Sequence, residues 1–158
     1  MTTSPGLDQA AAQIRERQAL MRICAEASEA ELERALADCG GAPGAQDVRA
    51  PEAGLVMLRG RIGGNGAMFN VGEATMTRAV VRLADGALGY SYLLGRSARR
   101  ARVAAIIDAL GQHPEWRAKL ETALVEPVRA RREAELAGRR ERAAATRVNF
   151  FTLVRGED

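Results

Sequence analysis

The chain has 158 residues, 23 Lys+Arg against 20 Asp+Glu, a net charge of +3 and 47% hydrophobic residues. That is the length of one domain with enough apolar material for a core, which excludes a disordered chain, and no apolar run reaches the roughly 20 residues that a bilayer-crossing helix needs. A single His (His113), a single Lys (Lys119) and two cysteines (Cys24 and Cys39) exclude a disulfide framework and leave little for histidine catalysis, a Cys/His metal centre or a Ser-His-Asp triad.

The first stretch, MTTSPGLDQAAAQIRERQ, has neither a basic opening nor an apolar segment of the signal-peptide kind, so a cytoplasmic location is expected. Residues 7–27 read as a helix, with Ile14, Leu20, Met21, Cys24 and Ala27 at helical spacing. Ser28 is an N-cap candidate with Glu31 at the capping-box position, and Leu32, Ala35, Leu36 and Cys39 form the stripe of a second helix. Gly40-Gly41 ends it. Both cysteines fall on apolar stripes and read as small buried hydrophobes.

The middle of the chain changes period. Residues 47–52 read as a short edge strand stopped by Pro51. In the strand 54–62, Val56, Leu58 and Ile62 point one way and Leu55, Met57, Arg59 and Arg61 the other. Residues 63–67, GGNGA, form a turn. Residues 68–84 form a long strand, or a bent pair with Gly72 as a bulge, and Asp85-Gly86 makes a tight turn into a last strand, 87–94. Helices then return. Val103, Ile106, Ile107 and Leu110 give an amphipathic helix over 97–111, and Pro114 opens another carrying Trp116, Leu120, Ala123 and Leu124. A separate polar helix is expected over 127–146; residues 126–147 hold seven Arg and four Glu. Such a helix stands in solvent or lies on a partner. The tail RVNFFTLVRGED presents Phe150, Phe151, Leu153 and Val154. The order of elements predicts a single α+β domain. It divides into a helical hairpin (1–46), an antiparallel sheet of three to four strands (47–95), helices (96–146) and an apolar, partner-binding tail (147–158).

Charge is unevenly placed along this order. Residues 1–47 hold four Arg and eight acids, a balance of −4, and residues 48–158 hold nineteen Lys+Arg and twelve acids, a balance of +7. The asymmetry points to an anion or a partner surface, or to ion pairs within the fold.

The candidate chemistry is sparse. Gly63-Gly64-Asn65-Gly66 lacks the Lys and following helix of a phosphate-binding loop and reads as a hairpin turn. Glu73, Thr75 and Thr77 share one strand face, and Arg78 and Arg82 the other; carboxylate, hydroxyls and guanidinium groups there make a candidate polar site for a polyphosphate or sugar. Arg96, Arg99, Arg100 and Arg102 cluster at a helix start with no acid over 96–107, a candidate anion or nucleotide contact. His113 shows no carboxylate partner in the sequence. Tyr90 and Tyr92 alone do not make an RNA-binding surface, so no nucleic-acid partner is expected.

Four ordered motifs go further. They are the Gly-Arg-x-Gly-Gly-x-Gly turn at 60–66, the Gly-Glu-Ala-Thr-x-Thr-Arg-Ala strand at 72–79, the Gly-Tyr-Ser-Tyr-x-x-Gly-Arg strand end at 89–96 and the tail Val-Asn-Phe-Phe-Thr-x-Val-Arg-Gly at 148–156. Together they resemble the PhnG family, subunits of the bacterial phosphonate carbon–phosphorus lyase system; Asn149 and Leu153 are conservative departures. The resemblance implies a core complex with subunits H, I and J, two copies of each, and an ATPase-like subunit L. It implies a transferase step in which an alkylphosphonate displaces adenine from ATP, giving α-ribose 1-phosphonate 5-triphosphate, before a radical step on subunit J breaks the carbon–phosphorus bond. The displacement is credited to subunit I, so this chain is expected to be an accessory subunit with no catalytic residue, metal or cofactor of its own. Phe150, Phe151, Val154 and Arg155 are its expected partner contacts, and no membrane contact is expected.

Overall fold

The computed structural model describes residues 5–41, 44–63 and 65–146. The chain opens with helix α1 (Pro5–Glu26) and helix α2 (Glu29–Asp38). The junction is fixed as its sequence dictates: the Ser28 hydroxyl accepts from the Glu31 amide, and the Glu31 carboxylate accepts from the Ser28 amide at 2.7 Å. Gly40 and Gly41 then take φ of +95° and +89°, which lets the chain leave the helix.

Three antiparallel strands follow in the order β1-β2-β3: β1 (Gln46–Arg61), β2 (Met68–Arg82) and β3 (Leu88–Leu94). The expected stop at Pro51 does not occur, and β1 runs unbroken through it. Two features allow this. β1 is an edge strand, and the pairing passes from Arg49↔Val80 to Glu52↔Arg78, so Ala50 and Pro51 sit in a bulge. A second irregularity passes from Leu58↔Gly72 to Arg59↔Asn70, leaving Val71 as the extra residue beside the expected Gly72 bulge. Gly86, at φ +93°, turns β2 into β3, with the Asp85 carboxylate accepting from the Ala87 amide.

Helix α3 (Ala98–Leu110) is capped by the Ser97 hydroxyl, which accepts from the Arg100 amide at 3.1 Å. The expected stripe of Val103, Ile106, Ile107 and Leu110 is buried, but so are Ala101, Ala104, Ala105 and Ala109. The helix is therefore central rather than amphipathic, with the sheet on one side and α1 and α2 on the other. Its alanines let a strand come close. A Cβ at Gly89 would lie 1.9 Å from the Ala105 carbonyl oxygen, so only glycine fits there. Cys24 and Cys39 are free thiols within this core.

The expected break between the last two helices is also absent. Helix α4 (Pro114–Leu120), a π-helical turn (Glu121–Val125) and helix α5 (Glu126–Ala145) form one continuous helical run. Pro127 would collide with the carbonyl four residues back in a regular helix; the π turn widens the register there, with the Glu126 amide donating to Glu121. Leu120, Leu124, Val125 and Val128 are buried, but α5 is exposed from residue 139 onward. No described helix is long and apolar enough to cross a membrane.

Candidate functional site

The two faces of the sheet have different fates. Thr77, Ala79, Val81, Ser91 and Leu93 face α3 and are buried. Thr77 donates its hydroxyl to the Gly95 carbonyl at 2.7 Å, and Ser91 donates to the Ala101 carbonyl at 2.7 Å. Both hydroxyls are thereby spent on holding the strands to the turn and helix that follow. Thr75 is half-buried and Glu73 is exposed on this same side, so the three residues share a face while Thr77 is closed to a ligand.

The opposite face is open. Cross-strand pairing puts Glu52, Arg78 and Tyr92 in one row, Val80 and Tyr90 in the next, and Met76 and Leu94 on the other flank. Tyr92 is 55% and Leu94 65% exposed, and Tyr90 and Leu88 are also exposed. Arg78 lies within this patch, with its Nε 2.5 Å from Glu52 Oε1. Arg82 is exposed at the end of the same face, paired across to Leu88. Phenols, aliphatic groups and a tethered guanidinium on a flat surface are the composition of a protein-binding hot spot.

The expected anion cluster at the start of α3 does not stand free. Arg100 donates to the carbonyls of Ala25 (2.6 Å) and Ala27 (2.9 Å), closing the C-terminal end of α1. Arg99 pairs with Glu33, and Arg102 with Asp47 at 2.7 Å. Of the cluster, only Arg96 is exposed without an ion pair among the described residues. The same pattern recurs along α4 and α5: Arg117 pairs with Glu16, Arg131 with Glu31 at 2.7 Å and Arg132 with Glu26 at 3.5 Å. The acidic first third of the chain thus neutralises much of the basic remainder within the fold. Burial pushes the Glu31 carboxyl up, but hydrogen bonds from Arg131 and Ser28 outweigh it and hold the group below its ordinary range.

Two contacts were not legible in sequence spacing. His113 does have a carboxylate neighbour: Asp85, from the β2–β3 turn, lies 2.9 Å from its Nε2. The other is a bidentate pair between a buried carboxylate and a part-exposed guanidinium. Asp108, 1% exposed, accepts from Arg17 Nε at 2.9 Å, from Arg17 Nη2 at 2.7 Å and from the Tyr90 amide at 2.8 Å. Asp108 thereby caps the outer edge of β3 with α3 and ties both to α1. The hydrogen bonds that Arg17 donates to Asp108 raise the Arg17 pKa above its ordinary value. The acid among apolar residues in α3 was the available signal, since a buried carboxylate needs a partner.

A hollow of about 280 Å³ lies between α1 and the α4 region, lined by Leu20, Ile23, Leu120 and Val125. Its rim arginines, Arg17, Arg117 and Arg129, are paired with Asp108, Glu16 and Glu121. The open sheet face carries exposed Tyr92, Leu94, Tyr90 and Leu88 around Arg78. Among the described residues its carboxylate, Glu52, is engaged by Arg78. Phe150, Phe151, Val154 and Arg155 lie outside the described residues.

Comparison with known proteins agrees with this organisation. A model described as "Phosphonate metabolism protein PhnG" matches residues 15–156. The chain is 53% identical over 138 residues to the alpha-D-ribose 1-methylphosphonate 5-triphosphate synthase subunit PhnG of Rhizobium meliloti (strain 1021), covering 87% of this chain and 88% of that protein. The match spans the helical hairpin, the sheet and the following helices, and on it the chain belongs to the PhnG family of phosphonate metabolism proteins.

Proposed function

We propose that this chain is an accessory subunit of a phosphonate ribosyl triphosphate synthase, acting in the cytoplasm. In that reaction an alkylphosphonate displaces adenine from carbon 1 of the ATP ribose, giving α-ribose 1-phosphonate 5-triphosphate. ATP is a substrate of the complex, and this chain holds no cofactor. It docks chiefly on subunit I, which carries the displacement, and works beside subunits H, J and L in a complex holding two copies of each core chain. The observation that carries this reading is the open sheet face: Tyr90, Tyr92 and Leu94 stand exposed around Arg78 without an acid/base pair among them. The naming of a 53% identical protein as a synthase subunit supports it. Displacing a nucleobase through an oxocarbenium-like centre needs a carboxylate to steady the charge and a donor for the leaving base, and those groups are assigned to the partner.

The tail is the second docking element, through Phe150, Phe151, Val154 and Arg155. The paired substitution Phe150→Asp and Phe151→Asp is expected to abolish co-purification with subunit I. Normal assembly of that variant would overturn the assignment of the tail.

A second reading gives this chain a share of the active site. Arg82 and Arg96 are exposed without an ion pair among the described residues, and Arg78 is half-exposed, so the three are available to an ATP triphosphate or a phosphonate. Arg99 and Arg100 are engaged within the fold and drop to positioning roles. Arg78→Ala in an assembled complex is expected to lower synthase turnover if this reading holds, and unchanged turnover sinks it.

A further inference from the structure

The distal half of the β1–β2 hairpin is built unlike the rest of the chain. β3 pairs with β2 only over Met76–Arg82, so beyond that point the sheet narrows to a two-stranded arm, residues 54–61 and 68–74. Among the described residues no further strand pairs with either outer edge of this arm, so each edge presents backbone amides and carbonyls. Large apolar groups are exposed on both of its faces: Leu58 and Phe69 on one, Leu55 and Met57 on the other, with Leu55 65% exposed. The extra residue Val71 and the tip residue Ile62 are exposed as well.

We infer that this arm is an insertion element, gripped on both faces by an apolar cleft of another subunit of the same synthase complex, with carboxylates at the rim of that cleft. The inference rests on the subunit reading above. Charge selects the partner. The arm holds Arg59 and Arg61 in its outer part and one acid, Glu73, nearer its base opposite Met57, so its outer part is positive and the complementary surface there is negative. Two copies of this chain meeting through the outer parts of their arms bring Arg59 and Arg61 against each other, which disfavours a self-pair. The edges select a protein over a membrane. A lipid surface supplies no partners for two rows of free amides and carbonyls, whereas a protein cleft adds a strand or polar groups to them. Two exposed apolar faces also need enclosure, because docking flat on a surface covers one face and leaves the other wet.

The test uses the full chain co-expressed with the other subunits, carrying Leu55→Asp on one face or Leu58→Asp on the other. Each residue is exposed, so each purified variant should keep the wild-type circular dichroism and melting temperature. Each variant should lose at least tenfold in incorporation into the complex, and Arg59→Glu with Arg61→Glu should do the same. Hydrogen exchange at residues 54–61 and 68–74 should slow on assembly. Incorporation at the wild-type level for both single-face variants overturns the inference while leaving the subunit reading intact. A defect in only one of them overturns the two-sided grip. Arm-dependent self-association of the isolated chain, or arm-dependent binding to anionic phosphatidylserine vesicles, also overturns it. A wild-type chain that joins no complex takes down the subunit reading and this inference together.

Discussion

Arg17 and Asp108 decide how three elements meet. Asp108 is buried with its oxygens facing one guanidinium and one backbone amide, so removing the arginine leaves a buried carboxylate short of two charge-assisted hydrogen bonds. Arg17→Ala should cost about 3 kcal/mol of unfolding free energy, measured by urea denaturation. Arg17→Lys should recover only part of that, because an ammonium cannot make the bidentate contact. Gly89 is the other residue-scale constraint. Gly89→Ala drives a Cβ into the Ala105 carbonyl and should destabilise by about 2 kcal/mol or more as α3 is pushed off the sheet. At Cys24, burial pushes the thiol up to about 12, so the reactive thiolate is scarce near neutral pH. A maleimide reagent at pH 8 should label Cys24 only as the protein unfolds, and rapid labelling of the native chain would contradict its place in the core.

At the scale of elements, the helical run from α4 to α5 is fastened where Arg131 meets Glu31 and Glu135 and donates to the Glu26 carbonyl. This joins the last helix to the capping box between α1 and α2. Glu31 is held below its ordinary 4.5, so its stabilising contribution is present above that value and is lost as the pH falls through its lower folded value. Thermal unfolding followed from pH 7 downward should show stability dropping below about pH 4.5, and Glu31→Gln should flatten that limb. The local signals here were readable in the sequence: Ser28 with Glu31, Gly40-Gly41, Asp85-Gly86 and Pro114 each mark a boundary the structure keeps. The misreadings share one cause. Pro51 and Pro127 look like breaks to a local rule, but an edge bulge and a π turn absorb them, and both depend on what pairs across or packs alongside. The candidate site was half legible. Strand alternation separated Thr77 from Arg78, yet nothing local told which face α3 covers. Arg99, Arg100 and Arg102 looked like a free cluster because their acceptors lie 50 or more residues away in sequence.

Over the whole molecule, net charge says less than where the charges are spent. Much of the acidic hairpin pairs with basic groups of α3, α4 and α5, and the large apolar groups left exposed gather on an aromatic sheet face and a two-sided arm, both outside the core. A chain that spends many of its charges on its own ion pairs and exposes Tyr92, Leu94, Leu55 and Leu58 presents the apolar surface expected of a subunit. The docking role of the open face is tested most directly by co-expressing the chain with the other synthase subunits and weighing the purified complex. Wild-type chain should be incorporated. Tyr92→Asp with Leu94→Asp should leave the isolated chain folded but weaken its incorporation by about 3 kcal/mol, roughly a hundredfold. Incorporation of that variant at the wild-type level would contradict the account.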